Sequence, residues 1–317
     1  MAENIVNVKD ILKKNGIVLA FLIICILLSF LSPYFMDWGN WTNILRQASI
    51  NGILAIGMTY VILTGGIDLS VGSILACSGI VTGSLVTGNS DMSIPLAIAC
   101  GIGVGTALGS INGLLISRFS VPPFVATLGM LSAARGLTKI YNDGKPYSGF
   151  IPEFKFIGQG HILNIPIPVI VLIIAIIVFG FILKYTIFGR YIYAVGGNIR
   201  SAKTSGIRTR TVIFSTYLIS GALAGLAGVL LTARTTAAVP QAGESYELDA
   251  IAAVVIGGTS LKGGRGSLIG TVFGVLIISV INNGLDLMGV SSYYQQVVKG
   301  LIIVVAVLLD GTRKESN

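Results

Sequence analysis

Charge is what this sequence has least of. Only 11% of its 317 residues are Asp, Glu, Lys or Arg, while 53% are hydrophobic; a soluble domain carries about 25% charged residues. That deficit excludes a soluble globular fold. The chain holds one histidine, His161, which falls in a polar stretch where a solvated surface role is expected. The three cysteines, Cys25, Cys77 and Cys100, lie in apolar runs without the close spacings of metal or redox motifs, so they read as small packing residues. Also missing are the Gly-x-x-x-x-Gly-Lys-Ser/Thr phosphate loop, the His-Glu-x-x-His zinc pattern and the Gly-x-Ser-x-Gly nucleophile elbow. No active site, cofactor site or metal site is legible, so an enzyme is not expected. If such a chain moves a solute uphill, its energy comes from another chain or an ion gradient. The net charge of +8 does not point to nucleic acid, because the basic residues are scattered over several loops and form no stripe with interleaved aromatics.

What is present is a succession of apolar stretches at about 17–31, 44–64, 69–86, 94–116, 124–141, 168–185, 211–232, 248–261, 267–285 and 294–309. Most have the length that a hydrocarbon core of about 30 Å requires. They predict an all-α polytopic membrane protein, one transmembrane domain over 1–317 with about ten crossings. The first run follows Lys9, Lys13 and Lys14 and so resembles a signal peptide. Ser32-Pro33-Tyr34-Phe35 follows it instead of a small-residue cleavage site, so it reads as an uncleaved span anchored by Tyr34, Trp38 and Trp41. An amino terminus inside places Lys9, Lys13, Lys14, Arg118, Lys184, Arg190, Arg200, Lys203, Arg208, Arg210, Lys262, Arg265, Arg313 and Lys314 on the cytoplasmic side. That excess predicts both termini cytoplasmic. Arg46, Arg135, Lys139, Lys145, Lys155, Arg234 and Lys299 are left near the outer ends of spans or in outer loops.

Glycines recur every fourth residue at Gly101, Gly105, Gly109 and Gly113, and at Gly266, Gly270 and Gly274, with a similar small stripe at Gly221, Ala222, Gly225 and Gly228. In a bilayer, small residues let helix backbones approach closely, so these stripes predict tight packing. The loop from Lys184 to Arg210 is basic and has no acidic residue. Within it Asn198 suits an N-cap and Gly206 the C′ position of a two-turn helix carrying Arg200, Ser201, Ala202, Lys203, Thr204 and Ser205. Such a capped helix is more than topology needs and suggests a docking element for a cytoplasmic partner.

Two further stretches combine acidic residues with glycines. In Thr64-Gly65-Gly66-Ile67-Asp68-Leu69-Ser70, Asp68 reads as an N-cap of the following span or as a functional carboxylate. From Glu247 and Asp249 to Gly257 and Gly258 the distance is too short for a comfortable crossing, which predicts a short, tilted or re-entrant helix. Gln47, Asn51, Thr59, Tyr60, Asn112 and Asn282 are neutral polar residues within spans. They are candidates for a solute path, or for interhelical hydrogen bonding.

Taken together, Ile62–Ser73, Gly189–Asn198, Tyr246–Ala253 with Gly257-Gly258-Thr259-Ser260, and Gly289-Val290-Ser291-Ser292-Tyr293-Tyr294-Gln295 resemble the sugar permeases of ATP-binding-cassette (ABC) importers, in the ribose permease branch. The resemblance implies a multi-pass protein of the cytoplasmic membrane that performs no bond chemistry and needs no cofactor. Implied partners are a cytoplasmic ATPase, an extracytoplasmic sugar-binding protein and a second permease copy, as a homodimer or pseudo-dimer. The segment from Asn198 to Gly206 would be the coupling helix seated in the ATPase. The last motif leans toward D-ribose; xylose, galactose or another pentose or hexose is the alternative. An ion-coupled secondary transporter remains open as a rival, as does a scaffold or membrane enzyme. The first of these needs ionisable residues at mid-membrane, and only Asp68 and Asp249, both near span ends, come close.

Overall fold

A computed structural model describes residues 8–88 and 92–312. The side chains of Lys9, Lys13 and Lys14, and all of Arg313 and Lys314, lie outside the described residues. Thirteen helices are present among those described: α1 (Val8–Leu31), α2 (Trp38–Leu63), α3 (Val71–Leu85), α4 (Ile94–Ser117), α5 (Pro123–Tyr141), α6 (Pro152–Gln159), α7 (Ile167–Tyr185), α8 (Ile187–Gly197), α9 (Ile199–Thr204), α10 (Thr209–Thr235), α11 (Tyr246–Ile256), α12 (Leu268–Leu287) and α13 (Ser292–Thr312). The only strands among these residues are two-residue pairs, β1 (Tyr147–Ser148) with β4 (Ala237–Ala238) and β2 (His161–Ile162) with β3 (Ile165–Pro166). This is an all-α membrane protein, and every apolar run of the sequence is a helix.

By length and composition four helices suit a bilayer span on their own: α4, α7, α10 and α12. α2 has the length but carries Arg46, Gln47 and Asn51. It is buried from Ala48 to Leu63, so protein rather than lipid surrounds it and its polar residues meet other helices. Large apolar side chains are exposed on α1 (Leu22, Ile26, Phe30), on α7 (Ile174, Ile177, Phe181) and on α13 (Val297, Leu301), the surface a hydrocarbon solvent favours. α8 was not expected. Its amphipathic spacing buries Gly189, Ile192 and Val195, and Thr186 caps it by accepting from the Gly189 amide at 3.2 Å; eleven residues with Arg190 among them are too few and too polar to register as a span.

The glycine stripes are contact surfaces. A Cβ on Gly105 or Gly109 would strike the backbone of α10 at Gly221 or Gly225, and one on Gly228 would strike the Leu75 carbonyl of α3. Gly270 and Gly274 face Gly257 and Ala253 of α11 in the same way. Gly266 is the exception, sitting in the α11–α12 loop at φ 154 against Thr259.

These close approaches fix the depth of the two short helices. α3 runs beside α10 with Leu75 at Gly228, and just before α3 Asp68 bonds Ser220, roughly 17 Å up an α10 that is roughly 40 Å long at 1.5 Å per residue. α3 therefore starts near mid-depth. α11 lies along α12 with Ala253 at Gly274, which places Asp249 about halfway up the roughly 30 Å of α12. The two helix starts meet, since the Gly72 backbone abuts the Gly243 carbonyl and the Glu247 carboxylate. Each of these segments thus joins a non-helical stretch, largely turns, to a short helix, and the two helices run in opposite directions from a shared middle.

The first break, 64–70, is held by a buried polar knot. Asp68, 0% exposed, accepts from the Ser70 amide at 3.0 Å and the Ser70 hydroxyl at 2.6 Å through Oδ1, and from the Ser220 hydroxyl at 2.9 Å through Oδ2. Asn112 of α4 donates to the Ser70 Oγ at 2.8 Å. The Ile67 carbonyl accepts from Thr127 of α5 and Tyr217 of α10, each at 3.3 Å. Asp68 reads from the sequence as the N-cap or as a functional carboxylate. The N-cap is Ser70, with no side-chain cap bond, and Asp68 lies two residues earlier, where the positive end of α3 favours its charge.

Two outcomes follow for the folded chain in detergent. Asp68→Ala strands the Ser70 and Ser220 hydroxyls at about 1–3 kcal/mol each and should lower the melting temperature. Gly109→Leu should destabilise by about 1–3 kcal/mol or more through overpacking, whereas Gly103→Leu on the open side of α4, where a Cβ meets nothing within 4 Å, should stay within about 0.5 kcal/mol of wild type. Thermal unfolding of the purified protein measures all three.

Candidate functional site

The basic stretch forms the helix that its caps predicted. Asn198 Oδ1 accepts from the Arg200 and Ser201 amides, both at 3.0 Å. At the other end Gly206 has φ 84; its amide bonds the Lys203 carbonyl at 3.1 Å and the Ile207 amide bonds the Ala202 carbonyl at 3.1 Å. That pair of bonds is a Schellman stop, for which glycine supplies the left-handed residue. Ala202 is 3% exposed and anchors α9, while Arg200, Ser201, Lys203, Thr204, Ser205 and Gly206 face outward. Beneath α9 is a recess of about 480 Å³ bordered by Gly65, Ser120, Pro122, Arg200, Lys203 and Tyr217 among others, with no acidic residue in its wall.

Three glycine motifs far apart in sequence interlock beside it. The Leu63 carbonyl at the end of α2 accepts from the Gly264 amide at 2.9 Å. Gly196 packs so closely on that carbonyl that it has no room for a Cβ, and Gly263, at φ 83, touches Gly65 and Gly196 together. α8 and α9 are therefore seated directly on the turn at Gly65 and Gly66 that leads into the Asp68 knot. Gly257 ends α11 and Gly258, at φ 86, turns the chain into this junction.

The neutral polar residues do not form one cluster. Thr59 bonds Ala55 at 2.7 Å and Thr271 of α12 at 2.8 Å, and Tyr60 donates to the Phe179 carbonyl of α7 at 2.5 Å. With Asn112 in the knot, these three serve helix-to-helix hydrogen bonds. Asn51 and Asn282 are 4% and 3% exposed; neither side-chain amide atom of Asn51, nor Nδ2 of Asn282, has a partner. Gln47 is half-buried. His161 is exposed, with Nε2 2.9 Å from Arg46 Nη2.

Charges at mid-depth are the larger surprise. Asp68 and Asp249 do lie near helix ends, but those ends are in the middle of the bundle. Asp249, 3% exposed, pairs with Lys299 of α13 at 2.8 Å. Arg135, expected toward an outer end, donates from α5 to the Pro240 and Ala242 carbonyls at 2.5 and 2.9 Å. Arg135, Ser70, Ser220 and Tyr217 were not among the expected site residues. An arginine inside the run 124–141 was the available signal, since such a charge seldom occurs without a partner.

The family model described as branched-chain amino acid transport system / permease component matches residues 40–307. The ribose import permease protein RbsC of Bacillus subtilis (strain 168) is 50% identical over 314 residues, covering 98% of this chain and 96% of its own length. RbsC of Haemophilus influenzae is 46% identical, covering 93% of each chain, and the D-allose transport system permease protein AlsC of Escherichia coli (strain K12) is 43% identical over 94% of this chain and 91% of its own. No solved structure matches. The chain belongs to this permease family, in the branch that holds the ribose import permeases.

Proposed function

We propose that this chain is the membrane-spanning permease subunit of an ABC importer that carries a monosaccharide, D-ribose first among candidates, across the cytoplasmic membrane. The relatives named as ribose import permeases support the substrate class. The observation that carries the mechanism is α9, rigidly capped at both ends, basic outside and seated on the turn into the bundle core. In this reading α9 is the coupling helix docked in a cytoplasmic ATPase, and the α9 end of the bundle is the cytoplasmic side together with both termini. The chain then crosses the membrane ten times as one domain, two of the crossings being only half helical. A second copy completes the permease, and an extracytoplasmic binding protein delivers the sugar.

ATP binding would close the ATPase dimer and move α9. Because α8, Leu63, Gly65 and Gly264 are interlocked, that motion reaches the α2–α3 break and through Asp68 reaches α4 and α10 as a rigid-body rocking of packed helices. The ion-coupled rival gains one point from the mid-depth carboxylates. Against it, Asp68 is held by three hydrogen bonds and Asp249 by Lys299, which are structural roles. Bond chemistry is left to the ATPase.

Reconstituted with its ATPase and binding protein, the chain should take up ribose only with ATP. The double reversal Arg200→Glu with Lys203→Glu should abolish ATPase binding without lowering the melting temperature, and Asn198→Ala should weaken docking through about 1 kcal/mol of lost helix capping. Co-purification and uptake assays check both; ribose uptake by the chain alone, driven by an ion gradient, contradicts the reading.

A further inference from the structure

The two mid-depth breaks differ in one respect that decides what each can do. The first, 64–70, is open only at its α9 end, where Gly65 borders the recess; Asp68 and Ser70 deeper in are both fully buried. The second, joining α10 to α11, is open on one side: Val239 is 37% and Leu248 38% exposed, and Gln241 and Glu244 are exposed as well. Glu247, partly exposed, follows in the first turn of α11. Non-helical backbone and an exposed carboxylate at this depth cannot face hydrocarbon; they occur there only inside protein or against a water-filled cavity.

The neighbouring helix agrees. α5 is tied to this break by the Arg135 bonds to Pro240 and Ala242. On α5, Gly129, Ser132 and Ala133 are exposed between Val125, Leu128 and Leu137, and a Cβ at Gly129 or Gly136 would meet nothing within 4 Å. α7, by contrast, presents Ile174, Ile177 and Phe181 outward. The α5 surface beside the break thus has small and polar positions set among apolar ones, whereas the exposed surface of α7 is bulky and apolar throughout.

We propose that the open break, with Gln241 and Glu244 presented and Arg135 as the positioning residue behind them, is the polar wall that a monosaccharide touches at mid-membrane. The identity of the ligand rests on the function proposed above; the wetting of this face does not. Carboxylates and an amide accept and donate to sugar hydroxyls. Glu244 and Glu247 lie within electrostatic reach of the Arg135 guanidinium, so the wall is of mixed sign and suits a neutral solute. Asp249, 3% exposed and in the same turn as Glu247, leaves Oδ1 without a hydrogen-bond partner, which a hydroxyl or water at this break would supply.

The test uses the full importer in proteoliposomes, with Cys25, Cys77 and Cys100 replaced by Ala. Ser132→Cys, Gln241→Cys and Glu244→Cys should react with a charged thiol reagent, while Ile174→Cys and Ile177→Cys on α7 should not; equal inertness of both sets overturns the proposal. In the second arm Glu244→Ala should lower sugar uptake by about tenfold or more, the size of one charged hydrogen bond, with complex assembly and stimulated ATP hydrolysis unchanged. Uptake at the wild-type rate overturns the assignment of the ligand. Failure of the wild-type complex to move any monosaccharide sinks the functional reading instead, and the labelling arm still decides whether this face is wet.

Discussion

Inside a bilayer every backbone amide and carbonyl needs a protein partner, and this chain leaves the helix at mid-depth in two places. The rest of the bundle is arranged around supplying those partners. At the α2–α3 break the supply is Asp68 with Ser70 and with Ser220 of α10, extended by Asn112 of α4, Thr127 of α5 and Tyr217, also of α10. At the α10–α11 break it is Arg135 on the Pro240 and Ala242 carbonyls. A fully buried carboxylate without a cation would ordinarily be costly. Here three hydrogen bonds and the positive end of α3 offset that cost.

The same constraint joins the core to the surface. Glycines at 196, 263 and 264 let three backbones touch at the α9 end, where a Cβ would push them apart, and Gly65 makes the left-handed turn beside them. α9 is thus fastened to the break and the break to α4, α5 and α10. Packed helices with so little free space move as bodies, which is how a push on a two-turn helix can be felt at mid-membrane.

Much of this was legible in the sequence. Apolar runs located every long helix, the Asn198 and Gly206 caps located α9 to within a residue, and the fourfold glycine spacing marked the α4–α10 contact. The short stretch ahead of Gly257 correctly signalled an incomplete helix. What hydropathy could not give was depth. Residues 69–86 average apolar whether a helix begins at the membrane edge or at its middle, so Asp68 and Asp249 read as edge residues. Nor could it pair Leu63 with Gly264 or Arg135 with Pro240, because those contacts are long-range and carry no local period. α8 escaped because a short amphipathic helix among basic residues has neither the length nor the apolarity of a span.

The account turns on one break being sealed and the other wet. Amide hydrogen exchange of the reconstituted permease measures that directly. Amides at 66–70 should exchange with the slow rates of the surrounding helices, and those at 241–245 at least about a hundredfold faster, as expected for segments spanning the low and high ends of local stability. Equal protection of the two segments, or faster exchange at 66–70, would contradict it.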